Sequence, residues 1–216
     1  MTLELHFHPL ASYCHKVLVA LYESEIDFVP RHLDLGDPDA AAAFAALWPI
    51  GKMPLLVDAG RVVPESSIVL EHLATRDPRA RWLLPVDPEA ALETRLWDRF
   101  FDLYVHTPMQ KIVGDRLRPN GAKDPHGVAE ARTQLGIAYG MIERVLAERP
   151  WAAGQTFTLA DCAAAPALFY ADLVQPLGTA HPRARDYLAR LRERPSYARV
   201  LREAQPYFVH FPSDER

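Results

Sequence analysis

Apolar and polar side chains alternate over residues 3–7, and this period of two is typical of a half-buried β-strand. Residues 28–33 predict a second strand, in which Pro30 indicates an edge position because proline cannot donate a hydrogen bond to a neighbouring strand. Two further apolar runs, residues 54–57 and 61–63, are separated by turn-forming residues and predict a β-hairpin. The pattern thus places four strands near the start of the chain.

Helical spacing appears between and after these strands. Residues 17–22 place apolar side chains three and four positions apart, and Asp37-Pro38 before an alanine-rich run has the form of a helix start. A third helix is predicted from Ser66. The order β-α-β-α-β-β-α over residues 1–77, with a proline opening the third strand, is similar to that of a thioredoxin-like domain.

The remaining chain carries helical signals only. Residues 78–87 contain two prolines and no clear periodicity, so we expect a linker there. Residues 88–216 predict an all-helical bundle domain, in which Pro108 and Pro166 should kink or break their helices. The predicted helices cover residues 88 to about 118, 125–148, 158 to about 174, 182–194 and 195 to about 204.

The composition has the ordinary values of a soluble globular protein, with 49% hydrophobic and 24% charged residues. A formal net charge of −4 and the lack of a dense Lys/Arg run argue against nucleic acid or a membrane as the main partner. No stretch approaches the ~20 apolar residues of a spanning helix, and the N-terminus does not resemble a signal peptide. Cys14 and Cys162 lie far apart, so we expect no disulfide framework and a cytoplasmic location.

Two polar residues stand immediately before or at the start of the third predicted helix. Ser66 can cap this helix, and the uncapped N–H groups beside it form an anion site. Glu65 can hold a cation. Together they suit a group that carries both a carboxylate and an ammonium, such as the end of an amino acid.

The Met53-Pro54 pair and the Glu65-Ser66 pair resemble the glutathione site of the cytosolic glutathione transferase family. The helical second domain extends this resemblance over nearly the whole chain. The resemblance implies that the Met53–Pro54 bond is cis and that the backbone of Met53 faces the cysteinyl part of glutathione. It also implies a homodimeric enzyme with glutathione as co-substrate, a small apolar electrophile and no metal. Lys52 is a candidate for the glycine carboxylate of glutathione.

Glutathione chemistry requires the thiolate, because the thiol is mostly protonated at neutral pH. A hydroxyl between the first strand and first helix can stabilise this anion, and Ser12 lies there, as the activating serine does in serine-type members of the family. Ser12 can equally cap the first helix. Cys14 is the alternative, as the residue that forms a mixed disulfide in cysteine-type relatives, and His15 and Lys16 are near enough to lower its pKa. Tyr13 is a third candidate.

An apolar stripe runs along the predicted helix over residues 88–118 and includes Phe101, Tyr104 and Met109. Most of such a stripe is expected to be core. Part of it could line an apolar pocket for the electrophile, since ligand sites favour domain interfaces.

Two other patterns call for a structural interpretation. Thr158 and Asp161 have the spacing of a capping box, which predicts a helix start and no chemistry at Asp161. His6 and His8 share a strand face as a possible metal pair, but further ligands are lacking nearby and no metal is expected.

The leading hypothesis is a glutathione transferase that activates the glutathione thiolate for attack on an apolar electrophile, in detoxification. One alternative is a glutathione-dependent thiol–disulfide oxidoreductase or peroxidase that uses Cys14. A second alternative is a non-catalytic ligand-binding or regulatory protein of the same fold.

Overall fold

The computed structural model describes residues 3–34 and 36–212, and in this part of the chain four strands form one mixed sheet. The strands are β1 (Leu3–Phe7), β2 (Val29–His32), β3 (Leu55–Asp58) and β4 (Arg61–Pro64), in the order β2-β1-β3-β4. β1 is parallel to β2 and antiparallel to β3, and β3 is antiparallel to β4. The predicted strands and the edge position of Pro30 are therefore confirmed.

Three helices accompany the sheet: α1 (Ser12–Glu23), α2 (Pro38–Leu47) and α3 (Ser66–Arg76). The start of α2 follows directly from its sequence, because the Asp37 side chain accepts a hydrogen bond from the N–H of Asp39 and Pro38 occupies the first turn. The predicted order β-α-β-α-β-β-α is confirmed. Part of the segment expected to be a linker is a short 3₁₀ helix, Pro78–Leu83.

The chain divides into two compact units, and the first unit extends to Leu84 and also takes up Pro195–Phe208. Its late segment contains α9 (Pro195–Ala204). Ser196 Oγ of α9 donates a hydrogen bond of 2.6 Å to the carboxylate of Glu23 at the end of α1. The sequence pattern instead predicts α9 as part of the helical domain. The structure differs because α9 packs against α1, which lies more than 170 residues earlier in the sequence. A contact at that distance has no local pattern.

The second unit, Pro85–Arg194 with the residues from Val209 onward, is helical in its described part. Its helices are α4 (Pro88–Phe100), a π-helical turn (Phe101–His106), α5 (Thr107–Arg116), a 3₁₀ turn (Asn120–Ala122), α6 (Pro125–Val145), α7 (Leu159–Val174) and α8 (Pro182–Glu193). The all-helical prediction is confirmed, although the single helix expected over residues 88–118 is three segments.

The two prolines inside predicted helices have different outcomes. The π-helical turn precedes Pro108, whose missing N–H removes one backbone hydrogen bond from the helix. Within this turn Thr107 donates to the carbonyl of Asp102 through both its backbone N–H and its Oγ1, the latter at 3.0 Å. Pro166 does not break α7, which continues through it and is buried along most of its length.

The capping box at the start of α7 is present. Asp161 accepts a hydrogen bond of 2.8 Å from the N–H of Thr158, and it also accepts from the N–H of Ala152 and the hydroxyl of Tyr187. These donors fully occupy a buried carboxylate. The structural interpretation of Asp161 is confirmed.

Candidate functional site

The topology brings three separated segments to one end of the sheet. In the antiparallel ladders, Leu55 at the start of β3 pairs with His6 near the end of β1 and with Pro64 at the end of β4. The loop that leads to α1, the residues that precede β3 and the residues that begin α3 therefore meet at the same end. These are the segments that carry the candidate residues Ser12, Met53-Pro54 and Glu65-Ser66.

Immediately before β3, the Met53–Pro54 peptide bond is cis, as the resemblance implies. Pro54 is buried, and Met53 packs against a small apolar cluster formed by Leu33, Phe44 and Leu55. The structure places Lys52, the preceding candidate, on the surface.

Glu65 adopts an unusual backbone conformation at the start of α3. Its φ is 68°, in the left-handed region that non-glycine residues rarely occupy, at a cost on the order of 1–3 kcal/mol. Glu65 takes the N-cap position, and its exposed side chain makes no capping hydrogen bond. Residues held in this way cluster at binding sites. The sequence does not indicate this conformation, because neither Glu65 nor its neighbours carry a glycine-like signal.

Ser66 is the first helical residue of α3 and not its cap, which differs from the sequence prediction. Its side chain is buried, with 7% of its surface exposed. The first N–H groups of a helix have no partner within the helix, and here the N-cap side chain accepts no hydrogen bond from them. The start of α3 therefore offers backbone donors, a serine hydroxyl and a partial positive charge to an anion.

The start of α1 has the same form. Ser12 is its first helical residue and is 9% exposed, whereas Ala11 occupies the N-cap position, where no side chain makes a capping hydrogen bond. Ser12 therefore does not occupy the N-cap position that the capping alternative requires. Its hydroxyl lies at the positive end of a helix, where the helix dipole favours an anion.

Lys16 joins the first turns of the two helices. It is fully buried, and its Nζ donates a hydrogen bond of 2.9 Å to Oγ of Ser67. Lys16 lies one turn after Ser12 in α1, and Ser67 directly follows Ser66 in α3, so this bond couples the two serine-bearing helix starts. From the sequence, Lys16 was a candidate only as a neighbour of Cys14. Its position inside the apolar run over residues 14–21 was the available signal.

Cys14 is fully buried in α1. Burial in apolar surroundings raises the pKa of its thiol to about 12, and a hydrogen bond with the backbone of His8 offsets this only in part. A thiol in this state is protonated at neutral pH and is a poor nucleophile. The structure thus gives Cys14 the properties of a core residue.

His15 does not supply a positive charge to this thiol. It is fully buried, and burial lowers the pKa of its imidazole to about 4, so the ring is neutral at pH 7. Its Nε2 lies 2.6 Å from the carbonyl oxygen of Pro9. Because a carbonyl can only accept, Nε2 carries the ring proton and the imidazole holds the loop between β1 and α1 in place.

The remaining candidates near this end of the sheet are dispersed. Tyr13 is half-buried. The rings of His6 and His8 face different neighbours, Phe44 at 6.1 Å and Tyr207 at 5.1 Å respectively. Within residues 3–34 and 36–212, no three His, Cys, Asp or Glu side chains are grouped as metal ligands.

The three residues predicted for an electrophile pocket have different environments in the second unit. Phe101 and Met109 belong to its core, with 1% and 2% of their surfaces exposed, whereas Tyr104 is 48% exposed. The π-helical turn contains Phe101 and Tyr104 and precedes Met109. It changes the register of the helix, which a sequence pattern based on 3.6 residues per turn does not anticipate. The electrophile pocket stays a prediction.

Comparisons with known proteins agree with this architecture. The family models for the glutathione S-transferase N-terminal and C-terminal domains match residues 5–81 and 125–190. FtsZ-localized protein A of Caulobacter vibrioides is 30% identical, over 94% of this chain and 92% of that protein. Glutathione S-transferase 3 of Zea mays is 31% identical, over 92% of this chain and 93% of that protein.

The fold also matches solved structures. A glutathione S-transferase from Methylobacillus flagellatus, crystallised with GSH bound, has a TM-score of 0.85 and 26% sequence identity. The similarity covers 92% of this chain and 98% of that one.

Proposed function

The chain belongs to the glutathione S-transferase family, and from this premise we propose that it transfers the glutathione thiolate to a small apolar electrophile. The observation that carries the proposal is the pair of serine-bearing, uncapped helix starts at Ser12 and Ser66. The Lys16–Ser67 hydrogen bond holds them in one arrangement. The glutathione bound in the Methylobacillus flagellatus relative supports glutathione as the co-substrate.

In the proposed complex, the carboxylate of the γ-glutamyl group lies at the start of α3, where Ser66 and the first N–H groups of the helix donate to it. Glu65, exposed beside this helix start, binds the γ-glutamyl ammonium. The backbone of Met53 faces the cysteinyl part, and Lys52 meets the glycine carboxylate. Each charged end of the tripeptide thus has an oppositely charged or donating partner.

Ser12 is proposed to donate a hydrogen bond to the glutathione sulfur and to stabilise its thiolate. Lowering the thiol pKa by two units requires roughly 2.7 kcal/mol of preference for the anion. A hydrogen bond to a charged group supplies about 1.5–3 kcal/mol, and the helix dipole adds up to about 1 kcal/mol. The thiol proton leaves to solvent, the sulfur lone pair forms a bond to the electrophilic carbon, and the leaving group departs with its bonding electrons.

Replacement of Ser12 by Ala tests this step. We expect conjugation of 1-chloro-2,4-dinitrobenzene to fall roughly ten- to a thousand-fold, the loss of about 1.4–4 kcal/mol of anion stabilisation. The pKa seen in the pH–rate profile should rise, whereas the neighbouring variant Cys14→Ala should keep the wild-type profile. Equal rates for wild type and Ser12→Ala, with chemistry rate-limiting, would contradict the assignment.

The electrophile is proposed to contact the helical unit, where Tyr104 offers a half-exposed ring that packs on Phe100. Phe101 and Met109 belong to the core of this unit. Binding of small apolar electrophiles by this surface is consistent with a role in detoxification.

A non-catalytic binding or regulatory role is the second candidate, and it is favoured by one observation. A relative that matches 94% of this chain is named for its localisation with FtsZ and not for a transferase activity. Calorimetric binding of glutathione without conjugation of any electrophile in a broad panel would favour this role. Thiol transfer through Cys14 is disfavoured, because the buried thiol has a raised pKa.

We further propose a homodimer in the cytoplasm. Leu92 and Leu96, one turn apart on α4, are both exposed and form an apolar face suited to a two-fold contact. Both cysteines are free thiols, as expected in a reducing compartment. Among the described residues, no helix has the length and apolar character needed to cross a bilayer. A concentration-independent sedimentation mass near the 24.3 kDa monomer would reject the dimer.

A further inference from the structure

A cleft of about 710 Å³ opens in the first unit, at the sheet edge formed by β2. Its lining comes from β1, the second half of α1, the segment that leads into β2, and α9 with the residues that follow it. None of Ser12, Met53, Glu65 and Ser66 lines it. The cleft is therefore separate from the proposed glutathione site, and its volume lies in the range of small-molecule sites, about 300–1,000 Å³.

Aromatic rings form much of its surface. Phe7 and His32 are register partners in the parallel ladder, so both side chains lie on the same sheet face, and their rings meet edge to face at 4.7 Å. The ring centroids of Tyr22, near the end of α1, and Phe28 lie 6.0 Å apart. Tyr207, which follows α9, is the fifth ring of the lining. Five rings that converge on one space suit a flat ligand, because ring faces stack on planar groups.

One wall of the cleft is held rigid by a polar network. The Tyr22 hydroxyl donates to Glu203 at 2.6 Å, and Arg199 Nε donates to the other oxygen of the same carboxylate at 2.9 Å. The Arg199 guanidinium also stacks on the Tyr22 ring, at 3.8 Å from its centroid. Burial and the nearby Glu203 raise the pKa of Tyr22, so its hydroxyl remains a donor at neutral pH.

The charge of the lining is negative. Glu25 and Asp27 are exposed on the turn after α1, and with Glu203 they supply three carboxylates against the single guanidinium of Arg199, a formal sum of −2. Arg79 donates to the carbonyl of Glu25 and attracts the Glu25 and Asp27 carboxylates, but its salt bridge is with Asp77, which is not part of the lining. Aromatic rings and a surplus of carboxylates both favour a cation.

From these contacts we infer that the cleft binds a flat aromatic molecule with a positive charge, an organic cation, independently of glutathione. The rings take the planar body, and the carboxylates of Glu25 and Asp27 attract the charge at the mouth. The site does not depend on the proposed transferase activity, so it survives if that activity is absent.

The test compares two tricyclic probes of similar shape and opposite charge, 9-aminoacridine and anthracene-9-carboxylate, by calorimetry on the full chain. We expect the cation to bind at least tenfold more tightly, at one site, with affinity that falls as salt is added. Saturating glutathione should not displace it. Equal affinity for the two probes, or competition with glutathione, would overturn the inference.

Two variants locate the site by changing the charge in opposite directions. The double variant Glu25→Gln/Asp27→Asn, at exposed positions, should weaken 9-aminoacridine at least tenfold. Arg199→Met removes the positively charged guanidinium from the lining and should tighten the binding of 9-aminoacridine. The matched control Ser66→Ala, in the glutathione site, should leave it unchanged. If neither cleft variant alters the affinity while circular dichroism shows an intact fold, the cation binds elsewhere and the inference is wrong.

Discussion

The burial of Cys14 leads to a quantitative prediction about its reactivity. An ordinary cysteine has a pKa near 8.5, so at pH 8 about one molecule in four is thiolate. The pKa of Cys14 is raised to about 12, which leaves about one in 10⁴ as thiolate at the same pH. Because alkylation proceeds through the thiolate, we expect Cys14 to react with iodoacetamide at least roughly 2,000-fold more slowly than an ordinary thiol.

The assay uses a variant with one thiol. The chain has two cysteines, so Cys162→Ala leaves Cys14 as the single site. Carbamidomethylation is followed by intact-mass spectrometry at pH 8, and the same variant unfolded in guanidinium chloride provides the rate of an unprotected thiol. The ratio of the two rates gives the protection directly, and lowering the free energy of unfolding with urea should reduce it in parallel.

A native rate within tenfold of the unfolded rate would refute this reasoning. A glutathione adduct on Cys14 after treatment with glutathione disulfide would refute it as well. Either result would mean that the thiol reaches solvent in the native protein. The thiol–disulfide oxidoreductase alternative would then regain its chemical basis.

Two further predictions concern glutathione binding and pH stability. Glu65→Ala removes the proposed partner of the γ-glutamyl ammonium and should weaken calorimetric glutathione binding by about 1–3 kcal/mol, whereas Glu130→Ala, an exposed change on α6, should not; equal affinities would contradict the role of Glu65. His15 has a pKa of about 4 in the folded protein and about 6.5 unfolded, so the unfolded state binds a proton first as pH falls. The free energy of unfolding should therefore drop by about 2 kcal/mol between pH 7 and pH 5 through this residue. Urea titrations should show that His15→Gln removes this part of the dependence and that the exposed control His126→Gln does not; an unchanged slope in His15→Gln would contradict the assignment.

Local signals in the sequence were sufficient for most of the secondary structure and for the choice of family. The alternation over residues 3–7, the Asp37-Pro38 helix start and the capping box at Thr158 act through neighbours within a few residues, so each can be identified without the fold. The pairs Met53-Pro54 and Glu65-Ser66 are also local, and they led to the proposed glutathione site.

The tertiary structure alone decided which of these residues are accessible and how they are coupled. Cys14 and Ser12 are two positions apart, yet only packing makes the first a protected thiol with a raised pKa and leaves the second at an uncapped helix start. The left-handed conformation of Glu65 and the Lys16–Ser67 hydrogen bond likewise depend on β4 and α1 meeting α3. The return of α9 to α1, which forms one side of the cleft, joins residues about 180 positions apart. Such contacts have no local signature, because the free energy that forms them comes from surfaces that meet only in the folded chain.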